Sequence, residues 1–173
     1  MIQSLIVDWG PDVPFGEYPS ARDFFETVRQ ASREAERTRL TLLRMEAAEG
    51  LRAQSYEVTG RSGHRADAMA RTDARIDYES RMDERIREDY ELLDLACQVL
   101  YGAESGKGGI DALMGSAVAD AMSFRYVDAR PWSEVSALTG YSERQCMRLC
   151  EQGIDAADFF GLDNCMGGRG DAT

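Results

Sequence analysis

Residues 20 to 50 alternate between hydrophobic and polar positions with the period of a helix that has one apolar face. Ser20 is a suitable N-cap for the first turn of this helix. Small or apolar side chains then recur at alternating spacings of four and three residues, at Phe24, Val28, Ala31, Ala35, Thr38, Leu42 and Met45. This is the spacing of a coiled-coil seam over about three heptads. The pattern predicts a long amphipathic helix that needs a partner along its seam.

A second pattern of the same kind predicts another long helix over residues 67–101. Charged residues fill most of its surface, and its apolar stripe comprises Met69, Ile76, Met82, Ile86, Tyr90, Leu93, Cys97 and Leu100. A polar, glycine-containing stretch after Gly50 separates the two helices. Two long amphipathic helices joined by a polar loop predict an antiparallel, coiled-coil-like hairpin over residues 20–101. The heptad seam indicates that a homo-oligomer forms through this hairpin.

Three segments outside the hairpin lack helical periodicity. Residues 1–19 hold three of the four prolines and are expected to form an extended arm. Residues 102–109, GAESGKGG, predict a linker. They resemble a phosphate-binding loop, but the spacing is one residue short and Gly108 replaces the hydroxyl residue that would bind magnesium. Residues 162–173 predict a flexible polar tail.

The segment between the linker and the tail, residues 110–161, predicts a small helical domain. A helix is expected over 110–127, a short one over 132–139, another from 143 to about 152 and a last short piece over 155–160. Gly140 suits the left-handed position after a helix, and Ser142 with Gln145 three residues later matches a capping box. A short helix, a glycine turn and a second capped helix predict a helix-turn-helix.

The side chains of these two short helices divide into an expected core and an expected outer face. Val135, Leu138, Cys146 and Leu149 are predicted to pack between the helices, and Tyr141 to fold back over them. The predicted DNA-contacting face comprises Ser142, Glu143, Arg144, Gln145, Arg148 and Gln152. Arginine can pair with guanine and glutamine with adenine in the major groove, while a helix N-terminus can hold a phosphate. The chain is therefore expected to be all-α, with a long antiparallel hairpin followed by a small helix-turn-helix domain.

The amino-acid sequence of this region also resembles that of a known family. The segment RYVDARPWSEVSALTGYSERQCMRLCEQGID is similar to region four of bacterial sigma factors, and more closely to the sigma-like late-transcription regulators of phages and prophages of the ArpU/RinA type. The resemblance covers roughly residues 20–160 and is strongest over 124–155. It implies a promoter-binding regulator that acts with RNA polymerase in the bacterial cytoplasm. It also implies that Ser142, Arg144, Gln145 and Arg148 contact double-stranded DNA.

The net charge of −11 opposes a simple nucleic-acid binder, because contacts with phosphates supply much of the affinity for DNA. Residues 110–161 contain four arginines against eight acidic residues, a formal charge of −4. Binding by one copy is therefore expected to be weak. Dimerisation through the hairpin or tethering by polymerase would strengthen it. No apolar run reaches the ~18 residues of a membrane span, so no membrane partner is expected.

Metal, cofactor and enzyme chemistry are not expected from the sequence. The four cysteines show no disulfide or zinc spacing, and His64 is the single histidine; a structural zinc site needs four ligands. The acidic residues follow helix-surface spacing and do not form an isolated pair. Two alternatives to the regulator remain open: a small-terminase-like component of phage DNA packaging, and an acidic protein-interaction or anti-repressor module.

Overall fold

The computed structural model describes residues 14–53, 64–103 and 108–167. Within those ranges the chain is almost entirely helical and contains no strand, which confirms the predicted all-α class. A 3-10 turn at Pro14–Glu17 precedes seven α-helices: α1 (Ala21–Ala53), α2 (His64–Tyr101), α3 (Gly109–Met114), α4 (Ser116–Met122), α5 (Trp132–Thr139), α6 (Glu143–Phe160) and α7 (Leu162–Gly167). A π-helical turn, Ser123–Val127, extends α4.

The chain divides into two compact units, and the division falls within the two long helices. The first unit contains Met1–Ser32 and Leu92–Thr173, and the second contains Arg33–Glu91. Most of the expected arm at residues 1–19 lies outside the described residues, as do the loop 54–63, positions 104–107 of the expected linker and residues 168–173 of the expected tail.

The core of the first unit joins the start of α1 and the end of α2 to the small helices. Phe24, Phe25 and Val28 of α1 are fully buried, and Ala96, Val99 and Leu100 of α2 belong to the same core. The rings of Phe15 and Phe24 meet edge to face, with their centroids 5.3 Å apart. The first turns of α1 are therefore part of this core. Burying one such side chain contributes about 1.5–3 kcal/mol to stability.

Helix α6 crosses α4 at Gly153, which is buried. A β-carbon at this position would lie 2.1 Å from Met122 Sδ and 2.9 Å from Val118 Cγ1. Glycine therefore permits the close approach of the two helices and does not end α6. The predicted break between a helix ending near residue 152 and a separate piece at 155–160 is wrong, because this glycine serves packing inside one continuous helix.

Two other expectations for the first unit need correction. The helix expected over 110–127 is interrupted at Gly115, whose φ of 92° and ψ of 156° lie outside the helical region. The flexible tail expected over 162–173 is wrong for its first six residues, which form α7. Leu162, Cys165 and Met166 of α7 are buried in the core. The backbone N–H of Ala103 donates to the carbonyl of Met166 at 3.1 Å, which gives α7 a fixed place.

In the second unit α1 and α2 contact each other through Glu34 and Arg85, which form an ion pair. Ala35 and Thr38 of the predicted α1 seam are buried, and Leu42 and Met45 are half-buried. The seam of α1 thus packs within the chain, as a hairpin requires.

The apolar stripe predicted for α2 is only partly correct. Seven described side chains of α2 in this unit are half-buried, Tyr78 among them. Six of the seven recur with spacings of three and four residues, and we call these six the inner stripe: Thr72, Arg75, Glu79, Met82, Ile86 and Asp89. Met69, Ile76 and Tyr90 of the predicted stripe are instead exposed. The apolar residues of this helix fit two different helical faces, and the prediction merged them into one.

Candidate nucleic-acid interface

The structure has Gly140 and Ser142 in the two capping positions expected at the junction of α5 and α6. Pro131 occupies the N-cap of α5, and Gly140 follows its last turn with a left-handed φ of 75°. Ser142 is the N-cap of α6, and its Oγ accepts a hydrogen bond from the backbone N–H of Gln145 at 3.3 Å. These three residues fix where α5 begins, where it ends and where α6 begins.

Side-chain hydrogen bonds hold the turn between the two helices. Ser136 Oγ donates to the carbonyl oxygen of Tyr141 at 2.6 Å. Thr139 Oγ1 donates to the carbonyl of Val135 at 2.7 Å and lies 3.3 Å from Cys146 Sγ. Val135 and Cys146 are fully buried, so the contact between α5 and α6 combines an apolar centre with a bonded turn.

The interhelical core differs from the predicted one in two side chains. Leu138 is 57% exposed and Tyr141 is 43% exposed, so neither belongs to the buried contact. Thr139 approaches Cys146 in place of Leu138. Leu138 and Thr139 follow Val135 by three and four residues, so both border its face of the helix. The hydrogen bond of Thr139 to the Val135 carbonyl places its hydroxyl against Cys146, and Leu138 is left on the exposed side.

Five of the six predicted DNA-contacting residues are exposed and the sixth, Gln145, is half-buried; the exposed five are Ser142, Glu143, Arg144, Arg148 and Gln152. On the opposite side of α6, Cys146, Leu149 and Cys150 are buried. The structure therefore brings the predicted residues together on the open side of α6.

Arg144, Arg148 and Gln152 form the central line of this face, which we call the polar edge. Their spacing of four residues stacks them at intervals of about 6 Å along the helix. Among the described residues, neither Arg144 nor Arg148 forms an ion pair. Both guanidinium groups are available to an external anion.

Several acidic residues of 110–161 are engaged elsewhere in the first unit. Glu151 pairs with Arg22 of α1, and Asp158 accepts a hydrogen bond from the backbone N–H of Ala21 at 2.6 Å. Two more have partners as well: Glu134 pairs with Arg130, and Asp120 accepts from the Tyr101 hydroxyl. Of these contacts, only the Arg22–Glu151 pair brings a positive charge from outside residues 110–161, so it offsets one of the segment's four net negative charges.

A cation–π contact next to α5 was not predicted from the sequence. The Arg125 guanidinium lies 4.2 Å from the centroid of the Trp132 ring and donates to the carbonyl of Arg130 at 3.0 Å. Trp132 is half-buried and packs against the core, as expected for a packing residue. The cation–π contact joins residues seven apart across the turn at Ala129, which has a left-handed φ of 52°. The helical periodicity of the sequence gives no signal for a contact across such a turn.

Burial disfavours the thiolate form of two cysteines of the first unit, Cys150 and Cys165. Burial raises the pKa of Cys150 to about 12 and that of Cys165 to about 11, whereas a thiol reacts and binds metals as the thiolate. The described part of the chain contains no group of three or more metal-ligating side chains. In the same residues, no helix combines the length and the apolar character needed to cross a membrane.

No family model, curated protein or solved structure matched the chain.

Proposed function

We propose that the chain is a sequence-specific DNA-binding transcription regulator, sigma region-four-like and of phage or prophage origin. The observation that carries the proposal is the polar edge: two exposed arginines and a glutamine on the open side of a capped helix. The turn between α5 and α6, which has its own hydrogen bonds, holds the start of this helix in place. Such an arrangement leaves the first turns of α6 free to enter a major groove.

Each residue of the face has a role in this proposal. Arg144 and Arg148 donate to guanine O6 and N7 or to phosphates, and Gln145 pairs with adenine. The hydroxyl hydrogen of Ser142 remains available to a phosphate, since its oxygen is the atom that accepts from Gln145. The N–H groups of the first turn add a favourable field for an anion.

The acidic composition limits the affinity of one copy. Contacts with three or four phosphates would make the logarithm of the binding constant fall with the logarithm of salt concentration with a slope of about −3. We propose that self-association through residues 20–101, together with RNA polymerase, supplies the remaining affinity by raising the effective concentration of the contact.

The test begins by selecting bound sequences from random double-stranded DNA at low salt with the full chain. The R144A/R148A variant is expected to bind the selected DNA at least about 30-fold more weakly, since each lost contact is worth about 1–3 kcal/mol. The matched control is R33A/R37A, which removes the same charge from exposed positions of the second unit. Equal loss in both variants would show that charge alone binds DNA and would contradict the assigned face.

Two results would favour the alternative functions. A large ring of copies in solution would favour DNA packaging. No enrichment of any DNA at low salt, with the protein folded, would favour an acidic protein-interaction module.

A further inference from the structure

A second heptad pattern on α2 is exposed along its whole length. We call it the outer stripe, and its spacings alternate between four and three residues: Met69, Asp73, Ile76, Ser80, Asp83, Arg87 and Tyr90. All seven side chains are exposed. Met69, Ile76 and Tyr90 are 64%, 51% and 54% exposed. From its first residue to its last, the stripe runs about 32 Å along one face of the helix.

Helix α2 is not divided into an apolar face and a polar face in the second unit. Three of its seven described half-buried side chains are apolar or aromatic (Tyr78, Met82 and Ile86), and so are three of the seven outer-stripe residues. Four of the six inner-stripe residues are polar or charged, including Arg75 and Glu79, which pair with each other. The outer stripe meanwhile leaves three large apolar side chains in water. Large apolar side chains that recur on one exposed helical face, with charged residues between them, favour pairing with another helix. The α1 seam does not offer such a surface, because its first five residues are buried within the chain.

We infer that the outer stripe pairs with the outer stripe of a second copy of this chain, antiparallel, about a two-fold axis at Ser80. In this register Met69 packs against Tyr90 of the other copy. Asp73 lies opposite Arg87 of the other copy, and each such pair occurs twice. Arg87 already contacts Asp83 of its own helix at 3.3 Å, so it bridges two carboxylates.

The charges select this orientation over the parallel one. A parallel pair would stack Asp73 on Asp73, Asp83 on Asp83 and Arg87 on Arg87, and like charges at facing positions are destabilising. In the antiparallel register Ile76 borders Asp83 of the other copy, whose carboxylate remains bound to Arg87. The inference rests on the self-association in the proposed function and specifies its surface and register. A two-fold dimer would read an inverted repeat.

The first experiment measures the mass of the full chain by sedimentation equilibrium. We expect a dimer, and the single variants D73R and R87D should each raise its dissociation constant about tenfold, because each creates two like-charge contacts. The double variant D73R/R87D exchanges the charges across the pair and should bind more tightly than either single variant. It should not reach the wild-type dissociation constant, because the acid introduced at position 87 lies one turn from Asp83. Far-UV circular dichroism checks that each variant remains helical. A monomer at all concentrations, a higher oligomer, or no rescue by the exchange would overturn the inference.

The second experiment tests the register by disulfide cross-linking under mild oxidation. Ser80 lies on the two-fold axis, so S80C should form a dimeric cross-link. M69C is the matched control: its two sulfurs would lie about 30 Å apart in the antiparallel pair, and it should not cross-link to itself. Cross-linking of both variants would show a parallel pair and contradict the register. The DNA affinity of R144A/R148A is measured separately, so failure of the dimer and failure of DNA binding are distinguished.

Discussion

Gly153 of α6 lies against Met122 of α4 so closely that a β-carbon on Gly153 would come within 2.1 Å of the methionine sulfur. This contact sets the distance between the helix that carries the polar edge and the helix beneath it. Met122 is fully buried, so the sulfur cannot move aside without displacing other core side chains. The position of the candidate DNA-binding face therefore depends on a residue without a side chain.

Replacing Gly153 with alanine is expected to destabilise the chain. Overpacking a core costs about 1–3 kcal/mol, and the better helix propensity of alanine returns up to about 1 kcal/mol. The net loss should lower the Tm by about 2–6 °C, measured by circular dichroism. Gly167→Ala is the control, because a β-carbon there meets no atom within 4 Å. A Tm for G153A equal to or above that of the wild type would contradict the packing argument.

Two substitutions of Ser142 separate its capping role from DNA binding. Ser142→Ala removes the acceptor for the N–H of Gln145 and should cost about 1 kcal/mol of stability. Ser142→Asp keeps a capping acceptor and should retain the wild-type Tm, but its negative charge should repel a phosphate. We expect S142D to bind the selected DNA at least about fivefold more weakly than the wild type. If S142D binds DNA as tightly as the wild type, the N-terminus of α6 does not face the phosphates.

Asp89 of the inner stripe should make stability depend on pH. Burial raises the pKa of Asp89, and the negative charge of Glu34 adds to this, while Arg85 opposes it. An acid whose pKa is higher in the folded state stabilises the fold in its protonated form, so this contribution is present at low pH and lost as the pH rises through the folded pKa. Asp89→Asn should therefore raise the Tm at pH 7, where the wild-type carboxylate carries its buried charge.

The advantage of D89N over the wild type should be smaller at pH 4 than at pH 7, because more of the wild-type carboxyl is protonated at the lower pH. Thermal melts at both pH values check the difference. Glu91→Gln, at an exposed position two residues away, is the control and should change the Tm little at either pH. An equal gain for D89N at both pH values would contradict the burial of its charge.

The parts of the fold that depend on local chemistry could be predicted from the sequence. Gly140 and Ser142 fix the end of α5 and the start of α6 through backbone conformation and a cap, and both were predicted in these roles. The exposed side of α6 followed in the same way, since Arg144 and Arg148 lie one turn apart.

The parts that depend on contacts between distant residues could not be predicted. Gly153 has the same local signal whether it ends a helix or permits a crossing, and only Met122 decides between them. On α2, Ile76 and Ile86 fit two different stripes, and the choice between the stripes depends on the position of α1. Leu162 begins a short segment rich in small and polar residues, whose burial depends on a core built from the far end of the chain.

Asp158 of α6 accepts a hydrogen bond from the first residue of α1, Ala21, and Glu151 pairs with its neighbour Arg22. A fragment cut to residues 110–161 would therefore lose contacts that stabilise its own helices. It would expose the apolar side chains that Phe24 and Phe25 cover. It would also leave two carboxylates without their partners on α6, the helix that carries Arg144 and Arg148. The smallest autonomous piece of this protein has to include both ends of the hairpin.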